Sequence, residues 1–174
     1  MFSNIVLATD GSKHAAKALK IAIDLVNKYD AELTLVHVLN HDHPSEELVR
    51  MVENEHLDVN PIPKDLTDEI HLSTEQTKRN MLRSDDKEAM VINAIGQQIL
   101  STAKREASLA GVKKINVEIQ SGDYANAILK VAEDKKAEMI VMGHRGLSRL
   151  KGFMIGSVSH KVSQRANCSV LTIK

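Results

Sequence analysis

Among its 174 residues the chain has one cysteine, Cys168, three prolines, and four aromatic residues with no tryptophan among them. A lone cysteine cannot close an internal disulfide, which agrees with a reducing compartment. Four aromatics give few platforms for stacking bases along a nucleic-acid strand, and a formal net charge of zero argues against a globally basic nucleic-acid binder. The apolar runs are too short to cross a bilayer. Met1-Phe2-Ser3-Asn4 leads straight into Ile5-Val6-Leu7-Ala8, without a basic region or a small-residue cleavage site. The expectation is therefore a cytoplasmic protein without a secretory leader or a membrane partner. The length suits one domain, residues 1–174.

Acidic residues are missing from a whole region. The last is Glu138, and the 36 residues after it carry Arg145, Arg149, Lys151, Lys161, Arg165 and Lys174. The first 138 residues carry 17 basic against 23 acidic side chains, so the neutral total conceals two opposed parts. Four of the eight glycines (Gly143, Gly146, Gly152, Gly156) also fall within fourteen residues of the basic end. That combination suits a segment needing close backbone approach and positive charge.

Asn4 to Thr9 is a short aliphatic run followed by the turn signal Asp10-Gly11-Ser12. Ala15, Ala18, Leu19, Ala22, Ile23 and Val26 then recur at helical spacing, with Ser12 as a candidate N-cap. Further strands are expected at Ala31 to Leu39, Ile115 to Gln120, Met139 to Met142 and Ser169 to Ile173. A helix opening at Gly122-Asp123 would carry Ala127, Ile128, Val131 and Ala132. Ile92, Ile95, Ile99, Ala103, Ala107 and Ala110 mark a long amphipathic helix ending at Gly111. Strands alternating with helices predict right-handed crossovers and a doubly wound α/β domain with a parallel sheet.

Residues 40–85 interrupt the alternation. They hold all three prolines, four of the eight histidines and no glycine, and read as an insertion that is helical in part, over Ser45 to Asn54 and Thr67 to Leu82. His41-Asp42-His43 within it has metal-capable side chains, but three adjacent residues do not fix a coordination geometry, and a solvated loop is the plainer reading.

Ligands of open parallel sheets bind outside the carboxyl ends of the strands. Those ends carry Asp10-Gly11-Ser12, His37-Val38, Gly122 and Met142-Gly143-His144-Arg145-Gly146. The fingerprint G-x-G-x-x-G is absent after the first strand, as are a P-loop, a G-x-S-x-G elbow and any Cys-x-x-Cys. What remains is Gly143-x-x-Gly146, nine residues, then Gly156-Ser157 at a helix start. Glycines admit phosphate oxygens close to the backbone, and a helix N-terminus at Ser157, Val158 and Ser159 offers N–H groups and a positive dipole end. Arg145 adds charge-assisted hydrogen bonds. His144 and His160, flanking this basic segment, could help bind phosphate when protonated, and plain surface histidines fit the same positions.

The Gly143-x-x-Gly146-(nine)-Gly156-Ser157 spacing, with Val6-Leu7-Ala8-Thr9-Asp10-Gly11-Ser12 before it and Cys168-Ser169-Val170-Leu171 after it, closely resembles the universal stress protein family. The resemblance covers both ends of the chain and leaves out roughly residues 40–85. It implies a five-stranded, open, Rossmann-like parallel sheet of order 3-2-1-4-5, as in adenine-nucleotide α-hydrolase-like folds. It also implies a homodimer paired through the strand 169–174, and ATP held in the cleft. On this resemblance the adenine pocket falls on Ala8, Asp10 and the Val38 backbone, with Met142 against base or ribose. Gly143, Gly146, Gly156, Ser157 and Val158 match the triphosphate cradle, and Asp10 would contact ribose or a Mg²⁺ ion on the phosphates. Tyr124 departs from the small residue or proline frequent at that helix start, which leaves the part of Gly122 open.

Plainer readings stand beside these. The glycine loop could be a tight connection in a protein without ligand, Asp10 could only cap the first helix, and Cys168 reads as a small buried residue with no base nearby to make it a nucleophile. The functional expectation is an ATP-binding regulatory module in stress response. The alternatives are a slow ATP hydrolase or phosphotransferase, for which no positioned general base is evident, and a ligand-free dimeric interaction protein.

Overall fold

The structure is a computed structural model that describes residues 2–39, 71–72, 87–147 and 156–174. Strand β1 (Asn4–Ala8) leads into helix α1 (Lys13–Tyr29) and strand β2 (Glu32–Leu39). A two-residue strand, β3 (His71–Leu72), precedes helix α2 (Lys87–Leu109), strand β4 (Ile115–Ser121) and helix α3 (Tyr124–Asp134). Strand β5 (Met139–Gly143), helix α4 (Ser157–Arg165) and strand β6 (Ser169–Ile173) complete the described elements.

The sheet order is β3-β4-β2-β1-β5-β6, and every pairing is parallel. The five longer strands thus have the expected 3-2-1-4-5 arrangement. The sixth was not anticipated. His71 and Leu72 pair with Glu118 and Ile119, so at these two residues the helix expected over 67–82 is a strand. The outer edge of β4 presents main-chain N–H and C=O groups that need partners, and a short edge strand supplies them. The remaining expectations for 40–85, the His41-Asp42-His43 run included, lie outside the described residues.

β2 shows why the sheet is covered on both sides. Leu33, Leu35 and Leu39 point into a cluster with Ile5, Leu7, Leu19 and Leu100, while Val36 and Val38 point into a second with Val6, Ile128 and Val162. Alternation is a strand's period, and burial of both faces is the signature of a central parallel strand. The first cluster lies under α1 and α2, the second under α3 and α4. Each fully buried aliphatic side chain contributes about 1.5–3 kcal/mol, so these layers hold the strand ends in fixed relative positions.

The helix boundaries follow from local chemistry. Ser12 caps α1 by accepting the Ala15 N–H at 3.2 Å, as its sequence position predicts. Asp123 caps α3 through Asn126 N–H at 2.9 Å, and that bond, with Lys161 nearby, holds its carboxyl below the usual range. Gly111, at φ 88°, ends the turn after α2 in a conformation that favours glycine. In α2 the buried stripe includes Leu100, while Ala110 falls past the helix end and is exposed, because the turn at 110–111 rotates it off the apolar face.

Candidate functional site

The carboxyl ends of β1, β2 and β5 form the floor of the candidate site. Ala8 lies in register with Val36 on one side and Met142 on the other. Ala8, Val38 and Met142 belong to the core cluster on the α3 side, with Val158 of α4 and Tyr124 of α3 packed against it. The three apolar residues expected around a base therefore converge, although main-chain pairing and not sequence proximity brings them together. His37 is buried on the opposite face of β2, beside Gly96 of α2. Its Nδ1–H donates to the Thr9 carbonyl at 2.8 Å, and burial pushes its pKa below the ordinary value, leaving it neutral.

Past β1 the chain turns sharply at Gly11, whose φ of 79° suits glycine. Asp10 stands at this turn. Its Oδ1 accepts the Ser12 N–H and its Oδ2 accepts the Leu147 N–H, each at 3.0 Å. Asp10 consequently joins the β1 turn to the loop after β5, and Ser12, not Asp10, caps α1.

The two described ends of that loop meet. The His144 N–H donates to the Ile173 carbonyl at 2.8 Å, and the His144 carbonyl accepts the Gly156 N–H at 2.8 Å. The Ser159 hydroxyl lies 2.8 Å from the same carbonyl and 3.0 Å from that of Gly156. A side chain at Gly143 would place its Cβ 2.8 Å from His14 Cβ and 2.9 Å from the Arg145 carbonyl. At Gly146 a Cβ would overlap Asp10 Oδ2, and at Gly156 it would lie 3.2 Å from the His144 carbonyl. All three glycines thus have an intramolecular reason. They let the described ends of the loop pack on α1, on Asp10 and on each other, a role beyond room for phosphate.

α4 begins where these two ends meet. Its N-cap is Gly156, which has no side chain to offer, and no side-chain cap bond is made. The first N–H groups of a helix lack intrahelical acceptors and carry the positive end of its dipole. Ser157 is exposed and Val158 half-buried beside the apolar floor, so the helix end and the floor are contiguous. Arg145 is half-buried in the loop between Gly143 and Gly146. The ring of His144, for which phosphate contact and a plain surface position both stood open, turns its Nδ1–H to the Ile173 carbonyl at 3.1 Å and packs against the His14 ring. His160 is exposed on α4.

A family model described as the universal stress protein family matches residues 1–174. The chain belongs to the universal stress protein family. Among its relatives is universal stress protein YxiE of Bacillus subtilis, 34% identical over 174 residues and covering all of both chains. Solved universal stress proteins share the fold. One, in complex with cAMP, has a TM-score of 0.62 at 23% identity, covering 99% of this chain and 97% of that one. Another, from Archaeoglobus fulgidus in complex with dAMP, has a TM-score of 0.57 at 18% identity, covering 99% and 98%.

Two features of this universal stress protein were not read from its sequence. Gly96, inside α2, would with a Cβ press 2.7 Å on Leu39 and 2.9 Å on His37, so α2 crosses the end of β2 at backbone contact. A glycine inside an otherwise apolar helical pattern was the available signal. The second is the pairing of His14 with His144, ring centroids 4.5 Å apart, from positions 130 residues distant in sequence. Among the described residues no group of three or more metal-capable side chains is assembled, and no helix is long and apolar enough to cross a membrane.

Proposed function

We propose that this universal stress protein is a regulatory module that binds an adenine nucleotide, ATP in the first place, at the rim formed by β1, β2 and β5. The observation that carries the reading is the uncapped start of α4 at Gly156, set against the apolar floor of Ala8, Val38, Met142 and Val158. An apolar floor suits a purine ring, and a helix N-terminus suits phosphate. Complexes of two relatives of the same fold with cAMP and dAMP support the adenine assignment.

In this reading main-chain groups at Asp10 and Val38 read the base edge, and Met142 packs on base or ribose. Main-chain N–H groups of Gly156, Ser157 and Val158 and the Arg145 guanidinium hold the phosphates. Gly143 and Gly146 shape the loop. Both Asp10 oxygens accept main-chain N–H groups, so Asp10 acts first in holding the loop and only through its remaining lone pairs toward ribose or Mg²⁺. A Mg²⁺ ion would be held mainly by the phosphates. Bound nucleotide shifts the population of loop conformations, and a partner reads the result. The outer edge of β6 carries that signal into a homodimer by pairing with a second copy.

Calorimetry of nucleotide-stripped protein with ATP, ADP, AMP and cAMP tests the reading. Saturable heat with at least one is expected, and no heat from any of the four overturns it. A monomeric mass by light scattering at micromolar concentration, with and without ATP, overturns the homodimer.

A further inference from the structure

Four hydrogen bonds meet at one residue of the loop after β5. Toward β6, the main-chain N–H and ring Nδ1–H of His144 both donate to the carbonyl of Ile173, at 2.8 and 3.1 Å. A carbonyl only accepts, so Nδ1 carries the hydrogen and the ring orientation is set. Toward α4, the His144 carbonyl receives the Gly156 N–H and the Ser159 hydroxyl, both at 2.8 Å. The ring itself rests against His14 in the first turn of α1, with centroids 4.5 Å apart and planes at 83°. One turn along α1, the Lys17 ammonium donates to the main-chain carbonyl of Lys174, just past β6, at 3.1 Å.

We propose that His144 is a positioning residue that couples the start of α4 to the end of β6, so that occupancy of the nucleotide site and order in the edge strand rise and fall together. The coupling has a physical basis. A ligand that fixes Gly156 and the first turn of α4 fixes the His144 carbonyl, because two donors from that turn are bound to it. The N–H and C=O of His144 belong to adjacent peptide planes that meet at its Cα, and the packed ring restrains the two torsions between them, so the donors on the other side of His144 become fixed on Ile173 as well. The bidentate grip on one carbonyl distinguishes this residue from an ordinary ladder partner. The main-chain bond alone would survive a rotation of the loop about that bond, whereas the two together would not. The ring also fills the space between α1 and β6, so the grip cannot relax by swinging outward without separating from His14.

This inference rests on the proposed nucleotide site for the ligand, but the coupling can be read without one. Hydrogen exchange followed by mass spectrometry is measured on the full chain, with and without millimolar ATP, for wild type, His144→Ala, His144→Asn and Ser159→Ala. In wild type ATP should slow exchange both around 156–160 and across 169–173. His144→Ala should weaken ATP binding by about tenfold, as the ring's hydrogen bond to Ile173 is lost, and should abolish the effect of ATP on 169–173. His144→Asn, whose side-chain amide can still donate to Ile173, should restore that effect, which mere space-filling would not require. Slowing at 156–160 with none at 169–173 in wild type, or an undiminished effect in His144→Ala, overturns the coupling. If ATP slows neither segment, the nucleotide reading fails, and the ligand-free comparison decides the coupling. Faster exchange at 169–173 in Ser159→Ala upholds it, and unaltered exchange overturns it.

Discussion

Asp10 and Leu147 are joined across the site, the Asp10 Oδ2 accepting the Leu147 N–H at 3.0 Å, and the same oxygen occupies the space that a Cβ on Gly146 would take. Gly146→Ala should therefore destabilise the protein by about 1–3 kcal/mol through overpacking, and Asp10→Ala by a similar amount through two lost acceptors. The double variant should cost less than the two singles together by more than about 1 kcal/mol, since removing the carboxylate removes the clash. Urea unfolding of the four proteins measures this, and strict additivity would show that Gly146 is required for something other than Asp10.

Gly11 and Gly111 share a left-handed φ, 79° and 88°, in different surroundings. A Cβ on Gly11 would meet Ile99 Cγ1 at 3.0 Å, whereas one on Gly111 meets nothing within 4 Å. Gly111→Ala should cost about 1 kcal/mol from backbone strain alone, and Gly11→Ala about 2–3 kcal/mol from strain and contact combined. Equal losses by thermal or urea unfolding would contradict the crowding at Ile99.

His37 gives the protein a sensitivity to acid. Burial lowers its pKa from 6.5 in the folded state, with the Thr9 carbonyl and Asp10 opposing. The unfolded chain therefore binds a proton that the folded chain refuses, and stability should fall as pH drops through 6.5 and below. His14, lowered by burial, His144, Lys17 and Arg145, acts in the same direction. His37→Asn keeps a donor for Thr9 without a titrating ring, so its unfolding free energy should vary less between about pH 5 and pH 8 than that of wild type. An unchanged slope would remove His37 as its source.

Glu118 is a buried carboxylate on β4 whose Oε1 is paired with Lys135 at 2.7 Å, while Oε2 has no hydrogen-bond partner among the described residues. Lys135→Ala would leave that charge uncompensated and should cost about 2–4 kcal/mol, somewhat below a fully buried pair because Lys135 is 29% exposed. Replacing both by methionine should recover most of the loss. A double variant as unstable as Lys135→Ala would show that the ion pair supplies more than mutual neutralisation.

Where periodicity and capping rules act locally, the sequence was legible. α1 has Ser12 at its cap and the six apolar positions expected of it inside, and five strands fall within one or two residues of their expected bounds. The glycine spacing located the loop, and pairing of β1, β2 and β5 explains why Ala8, Val38 and Met142 are neighbours. What the sequence could not provide was direction. His144 reads as a histidine open to phosphate or to solvent, yet its ring is drawn to Ile173 by a carbonyl that only sheet pairing brings within reach. The same holds for Asp10, whose second acceptor bond spans 137 positions. Gly96 is legible only after α2 is known to cross His37. The two-residue strand β3 follows from an unpaired edge, which no local pattern encodes.

The last negative charge of the sequence, Glu138, is engaged at the opposite rim, where its carboxylate accepts the N–H groups of Ser3 and Asn4 and is held below the usual pKa range chiefly by Ser3. β5 separates it from the glycine loop by five residues, about 16 Å of strand. Asp10, beside the loop, spends both oxygens on main-chain groups. Of the cations beyond Glu138, Lys161 has its counter-charge in Asp123 at 3.6 Å and Arg165 donates to the Asn126 amide oxygen. Sulfate and chloride should compete with a phosphate ligand for the N–H groups at the start of α4, so apparent affinity there should fall as ionic strength rises.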